Sequence, residues 1–311
     1  LSISICLISL FNSQAPVPKM KLENITVDAL GKSGKISIQK SIKRDNTTEI
    51  NKVTLDFSSL KELDINGTEV GKSGSFKHSF NNFATLDFTI SETSEVLYQN
   101  LTAFSFNIYA NKVQGNSTKF TARLFIFNQT GEIKNGNETS NVQPGTVKLS
   151  LDIENWQFCK KDAVCPGDNC CEQGQNKEIG QYLEFVMAIK GNKIAKQNGN
   201  NKLYSLGGSD LILFDNIQAD ESWTSMPVGY PKYSLNNQTS VEEFAFRFPV
   251  FNKKLSYDPL IKYENEDVKS SSNVLLYVII VILGLIVIGS GVFFIMKKRN
   301  QQRNSQAFIE K

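Results

Sequence analysis

Four cysteines, Cys159, Cys165, Cys170 and Cys171, fall within thirteen residues. A clustered, even set is either a disulfide framework or a metal knot. The spacing C-x5-C-x4-C-C matches no familiar zinc pattern, and no histidine lies near it in the sequence. Disulfides are therefore the expectation and zinc the rival. Adjacent cysteines rarely pair with each other, so Cys170 and Cys171 are expected to reach back separately to Cys159 and Cys165, with the connectivity open. The only histidine is His78, flanked by Phe76 and Phe80 at strand spacing. It is expected in the core or at a sheet edge on their face. Any Ser-His-Asp relay or Cys-His dyad would have to use this one imidazole. Carboxylates are plentiful: Asp152, Glu154, Glu184, Asp210, Asp215, Asp220, Glu221, Glu242 and Glu243. A glycosidase needs only two of them at a fixed distance, but strand alternation already accounts for Asp152, Glu154 and Glu184 as solvated. No catalytic, cofactor-binding or metal-ligating residue is assigned, and the chain reads as a non-enzyme without a cofactor.

A second set of residues concerns modification. N-x-[ST] sequons begin at Asn24, Asn46, Asn66, Asn100, Asn116, Asn128, Asn137 and Asn237. In an exported chain, accessible ones carry glycan. Export is expected from two apolar segments. Residues 1–15 read as the remnant of a signal peptide, with Ser13-Gln14-Ala15 supplying small residues at a cleavage site. Val274 to Met296 holds 23 residues without a charge, and as a helix would span roughly 34 Å, enough for a bilayer core of about 30 Å. Lys297, Lys298, Arg299 and Arg303 follow it, and Glu264, Glu266 and Asp267 precede it. The basic flank belongs in the cytoplasm. The expected topology is a single type I pass, with a stalk at 263–273, a transmembrane helix at 274–296 and a cytoplasmic tail at 297–311. The lipid bilayer is then one partner.

The elements that position these residues are strands. Val53, Leu55 and Phe57 alternate with polar neighbours, as do Leu86, Phe88 and Ile90, then Phe104, Phe106 and Ile108, and Phe120, Ala122, Leu124 and Ile126. Val147, Leu149, Leu151 and Ile153 face one way while Lys148, Ser150, Asp152 and Glu154 face water. Leu183, Phe185, Met187 and Ile189 continue the pattern, and so do Phe244, Phe246 and Phe248. Period-2 alternation is the signature of strands with one buried face. Leu211 to Phe214 is apolar on both faces and suits a central strand. Turn residues separate the runs, among them Asn66-Gly67, Asn135-Gly136, Pro144-Gly145 and Gly207-Gly208. The expected fold is mainly β, an antiparallel β-sandwich ectodomain formed by one large or two packed sandwiches. The polar stretch Gly131–Gln143 is read as a boundary or a long loop, separating an N-terminal β-region at 19–142 from a C-terminal one at 143–262.

The chain carries a net charge of +3. The tail supplies more than that surplus, so the ectodomain is nearly neutral and nucleic acid is not an expected partner.

From Pro144 onward the run PGTVKLSLDIENWQFC resembles the strand followed by an N-W-P-F-C motif of single-pass membrane proteins of the skeletal organic matrix type. LILFDNIQADESWTSMPV and FRFPVFNKKLSYDPLI are similar to later blocks of the same family. The chain departs from the pattern at Gln157, where the family has Pro, and at Glu221-Ser222, where a Gly-containing turn is expected. The resemblance implies extracellular β-structure and one membrane pass, and it brings no activity. The expectation is a type I cell-surface glycoprotein whose non-catalytic ectodomain serves adhesion or extracellular binding, with an unknown extracellular protein or glycan as partner. The alternatives are an ectoenzyme of the carboxylate-based hydrolase kind, or an accessory subunit held beside a transporter or receptor.

Overall fold

A computed structural model describes residues 19–263, apart from 45–46, 71–76, 116, 160–179, 198–201 and 237–240. Residues up to Tyr263 form one compact unit, and the second unit, Glu264–Lys311, lies outside the described residues. So do the expected leader at 1–15 and the expected span at 274–296. Among the described residues no helix is long and apolar enough to cross a membrane.

The chain opens with β1 (Lys19–Leu22), β2 (Ile25–Ala29), β3 (Lys35–Arg44), β4 (Thr47–Leu63) and β5 (Ser79–Phe80). After a 3-10 turn at Phe83–Thr85 come β6 (Thr89–Ile90), β7 (Ser94–Tyr98), β8 (Leu101–Asn111), β9 (Lys119–Phe127), β10 (Gly131–Asn135), β11 (Glu138–Val142) and β12 (Val147–Glu154). The remaining strands are β13 (Tyr182–Lys190), β14 (Lys196–Gln197), β15 (Leu203–Ser205), β16 (Ser209–Ile212), β17 (Asn216–Ala219), β18 (Ser222–Ser225), β19 (Lys232–Asn236), β20 (Val241–Pro249), β21 (Lys254–Tyr257) and β22 (Leu260–Tyr263).

Every pairing is antiparallel. The first sheet runs β1-β2-β3-β4-β13-β20-β19, with β5 beside the end of β4. The second is built on β12. One edge of β12 pairs with β9, which pairs with β8 and through it with β6 and β7. The other edge pairs with β21 and then β22 in succession. From these, β17-β18 and β16-β15-β14 extend as two wings. Strands from both sides of residue 143 share each sheet, so the two β-regions expected at 19–142 and 143–262 interleave rather than stand apart.

Aromatic rings fill the space between the sheets. Phe57 on β4 meets Phe120 on β9 at 5.4 Å and Phe185 on β13 at 5.6 Å, while Phe83 meets Phe120 at 4.8 Å. Most of these contacts are edge-to-face, the arrangement that the ring quadrupoles favour, adding about 0.5–1.5 kcal/mol per pair beyond burial. The alternating apolar residues of β9, β12, β13 and β20 all point into this core. The stretch from Leu86 to Ile90 differs from its expected strand. Phe83 and Phe88 plug the core from a 3-10 turn and an irregular segment, and only Thr89–Ile90 joins the ladder.

The polar stretch 131–143 is not a domain boundary. Gly131–Asn135 and Glu138–Val142 form a hairpin of their own, closed by the two-residue turn Gly136-Asn137 with Gly136 at φ +62. A glycine with positive φ at the first central position is the signature of a type II′ turn. The hairpin lies across the outer face of the second sheet. Gln99 bonds both backbone groups of Lys134 at 2.7 and 2.8 Å, Lys262 reaches Ser140 at 3.3 Å, and Asn216 reaches the Asn135 carbonyl at 3.4 Å. This corrects the expectation for β12, whose outward face is not uniformly solvated. Lys148 is 2% exposed and Asp152 is 7% exposed. The Lys148 ammonium sits 2.8 Å from Asp258 and 4.6 Å from the centre of the Tyr98 ring. Burial holds the Lys148 pKa down, against the pull of Asp258.

The turn at Asp220-Glu221 forms without glycine. Both residues adopt positive φ, 48° and 70°, as a type I′ turn requires. The Asp220 carboxylate then gathers the backbone N–H groups of Asn252, Lys253 and Lys254 at 2.7, 2.6 and 3.1 Å. Burial alone would raise its pKa, but these donors outweigh it and hold the carboxyl below the usual aspartate range.

Two predictions arise here. The double variant Lys148→Met/Asp258→Leu should leave stability nearly unchanged, because apolar side chains replace the whole desolvated pair, whereas Asp258→Ala alone should cost about 3–5 kcal/mol by stranding the ammonium. Denaturant unfolding of the two variants measures the difference. The stabilisation from Asp220 is fully present above the ordinary aspartate pKa and is lost as pH falls through its depressed folded value. Thermal unfolding of Asp220→Asn should therefore lack part of the wild-type drop below pH 4.

Candidate functional site

β4 carries a register shift opposite Val186/Met187, where Phe57 pairs with Met187 but Ser59 pairs with Val186. Ser58 is the extra residue of a β-bulge. A bulge reverses side-chain parity. Before it, Val53, Leu55 and Phe57 face the core; after it, Leu60 and Glu62 do. Glu62 is 0% exposed.

Its carboxylate accepts three hydrogen bonds. Oε2 takes one from His78 Nδ1 at 2.7 Å and one from Trp156 Nε1 at 3.0 Å. Oε1 takes the backbone N–H of Cys159 at 2.7 Å. Gln114, also fully buried, locks its amide on the backbone of Gln157, with Oε1 accepting at 2.7 Å and Nε2 donating at 3.1 Å. That fixes the amide orientation and leaves its Nε2 2.9 Å from His78 Nδ1, whose proton belongs to Glu62. Gln157 stands where the family pattern has proline, and here its N–H is in use. The crossover from β12 to β13 is pinned at both ends: Gly180 donates to the Cys159 carbonyl at 3.1 Å and Gln181 to that of Leu63 at 2.8 Å.

Cys159 is disulfide-bonded. The other cysteines, Cys165, Cys170 and Cys171, lie outside the described residues. β12 ends at Glu154, so Cys159 belongs to the connection and not to the strand. His78 is buried on the same face as Phe80, as its spacing implied. The fold carries it 81 positions along the chain to within 3.7 Å of Cys159 Sγ. The absence of a histidine near the cysteines held for the sequence and fails in space.

Glu62, His78 and Cys159 place their ligand-type atoms within 4.8 Å of one another. They also have the outline of a thiol–imidazole–carboxylate relay. Neither chemistry suits the donor set. Both Glu62 oxygens are engaged by hydrogen bonds, and a sulfur held in a disulfide is neither a thiolate ligand nor a nucleophile. What the arrangement does is mechanical: one carboxylate fastens β4, the segment before β5 and the first end of the crossover, and backbone bonds hold the second end.

Several of the carboxylates noted in the sequence are engaged elsewhere. Arg247 donates to Glu184 at 2.8 Å and Tyr230 does so at 3.1 Å. Asp152 accepts from Ser256 at 2.5 Å, and Glu242 takes the Tyr233 hydroxyl at 3.2 Å and the Ala195 N–H. Among the sequons, Asn24, Asn66, Asn100 and Asn137 are exposed and sit in turns, and Asn128 is half-buried. Asn46, Asn116 and Asn237 lie outside the described residues. Glu62 escaped the sequence reading because its inward position depends on the bulge. The available signal was the phase break at Ser58-Ser59-Leu60.

Glu62→Ala should cost about 3–5 kcal/mol, since it strands three buried donors and leaves a cavity. Gly180→Ala should destabilise by about 1–3 kcal/mol, because a methyl group there runs into the Glu62 carboxylate. Denaturant unfolding gives both values. Limited proteolysis between Cys159 and Gly180 should accelerate in each variant, and unchanged proteolysis would separate the carboxylate from the crossover.

The family model for the acidic skeletal organic matrix protein matches this chain in two overlapping stretches, residues 12–201 and 190–289. The match reaches well beyond the blocks after Pro144 that carried the resemblance and takes in β4, His78 and the crossover. This chain therefore belongs to the acidic skeletal organic matrix protein family.

Proposed function

We propose that this protein is a type I single-pass cell-surface glycoprotein whose ectodomain is a non-catalytic β-sandwich for adhesion or extracellular binding. The observation that carries the reading is the position of the crossover. Tyr263, the last described residue, lies beside Lys40, which pairs with Asn51 on β4. Glu62 is eleven residues further along that strand, roughly 35 Å away at strand rise. The covalently tied crossover thus stands at the end of the sheets remote from where the chain leaves them. A connection whose two ends are anchored on a rigid sheet is where binding residues commonly sit.

Three further points agree. Four sequon asparagines are exposed at turns, where a transferase and a glycan both have room. A disulfide belongs to an exported chain. The sealed Glu62–His78–Cys159 group gives an ectoenzyme no accessible imidazole. The family's name points to an organic matrix outside cells, and there this chain is better suited to protein or glycan than to mineral. It has 34 basic and 31 acidic residues, without the carboxylate excess of an acidic protein.

A tag placed after Lys311 should resist protease in intact cells, and peptide N-glycosidase should lower the mass in several steps. Cells displaying the full chain should adhere to immobilised matrix proteins or glycans more strongly than cells displaying equal amounts of Cys165→Ser. Equal adhesion by both would remove the crossover from binding, and a digested tag would end the type I assignment.

A further inference from the structure

The protein has two tryptophans with opposite surroundings. Trp156 is 2% exposed beside Glu62, whereas Trp223 is 48% exposed. Trp223 lies on β18, whose four residues are all exposed and whose one neighbour among the described strands is β17. It pairs with Gln218 and stands on the outer face, the face crossed by the β10–β11 hairpin. Its ring rests against the turn of that hairpin. A Cβ at Gly136 would lie 3.1 Å from Cε3 and 3.2 Å from Cδ2 of the indole. Gly136 is thus required twice, for its φ of +62 and for the space the ring occupies. The next residue, Asn137, is exposed and begins the sequon Asn137-Glu138-Thr139. A glycan attached there starts one residue from a broad, half-exposed aromatic surface. The less polar face of a pyranose, lined by C–H groups, is complementary to the electron-rich face of an indole.

We propose that Trp223 is the platform on which the first N-acetylglucosamine of an Asn137-linked glycan rests, covering the free edge of β18. The contact gives the exposed indole an occupant supplied by the chain's own modification. It also gives the glycan a fixed first sugar, projecting from the outer face of the second sheet. This inference rests on the exported, glycosylated reading above.

The test uses the full chain, produced in a secretory host that makes oligomannose glycans and purified in detergent. Three forms are compared by acrylamide quenching of tryptophan fluorescence: intact, trimmed by endoglycosidase H to one N-acetylglucosamine per site, and stripped by peptide N-glycosidase. Trp156 is sealed, so the quenchable signal belongs to Trp223. Intact and trimmed protein should quench alike, and stripping should raise the quenching constant about two-fold or more with a red shift. Thr139→Ala, which abolishes the sequon and keeps Asn137, should reproduce that rise, and Asn100→Gln should not. Equal quenching in all three forms, with Asn137 occupied by peptide mapping, overturns the proposal. Glycan at other sequons but not at Asn137 overturns it and leaves the exported reading standing. Glycan at no sequon removes both.

Discussion

A single buried carboxylate holds the most demanding part of this fold together. Glu62 gives up hydration entirely, which for a charged group costs several kcal/mol unless hydrogen bonds replace the water. Here an imidazole, an indole and a backbone amide do so, at 2.7 to 3.0 Å. Those donors come from segments that lie far apart in the chain, so the charge is satisfied only when all of them have arrived. An apolar residue could fill the same volume but could not select these partners. The cost of burial therefore becomes a condition on how the β12–β13 crossover must dock.

The sheets supply the frame that makes such a site possible. The chain passes between them repeatedly, and each passage needs an anchor where the ladder ends. Glu62 serves one passage. Asp220 serves another by gathering three backbone amides where the segment after β20 enters β21. Both anchors are carboxylates that accept backbone N–H groups left unpaired at strand ends, a recurrent need in antiparallel folds. The β10–β11 hairpin meets a related need. It joins neither sheet by ladder bonds, yet it shields the outer face of β12, where Lys148 and Asp258 share a dry environment with Tyr98. The second sheet is thus buried over much of both faces.

This chain belongs to the acidic skeletal organic matrix protein family, yet it carries no acidic surplus. The charge of this chain is balanced, and several of its carboxylates are used internally. Glu62, Asp152, Glu184, Asp220 and Glu242 each serve a structural partner. Their number in the sequence overstates what they present to solvent.

The sequence by itself determined the strands whose inner faces meet the core. β12 alternates strictly, and β9, β13 and β20 keep an apolar residue at every second position over most of their length, a period that marks a strand with a buried face. It also determined the turns at Pro144-Gly145 and Gly207-Gly208, and the burial of His78 on the face of Phe80, because these depend on neighbours in the chain. The tertiary structure alone decided the rest. Alternation says which residues share a face, but not whether a second layer covers it, so Lys148 and Asp152 read as solvated. The polar residues of 131–143 read as a loop because their hairpin buries little of its own and packs on a surface made elsewhere. Glu62 carries no mark in the sequence because one extra residue at Ser58 reverses the parity beyond it. Its meeting with His78, Trp156 and Cys159 is a matter of topology: β4 and the crossover come together only when β13 pairs with β4, and no local pattern in the chain encodes that pairing.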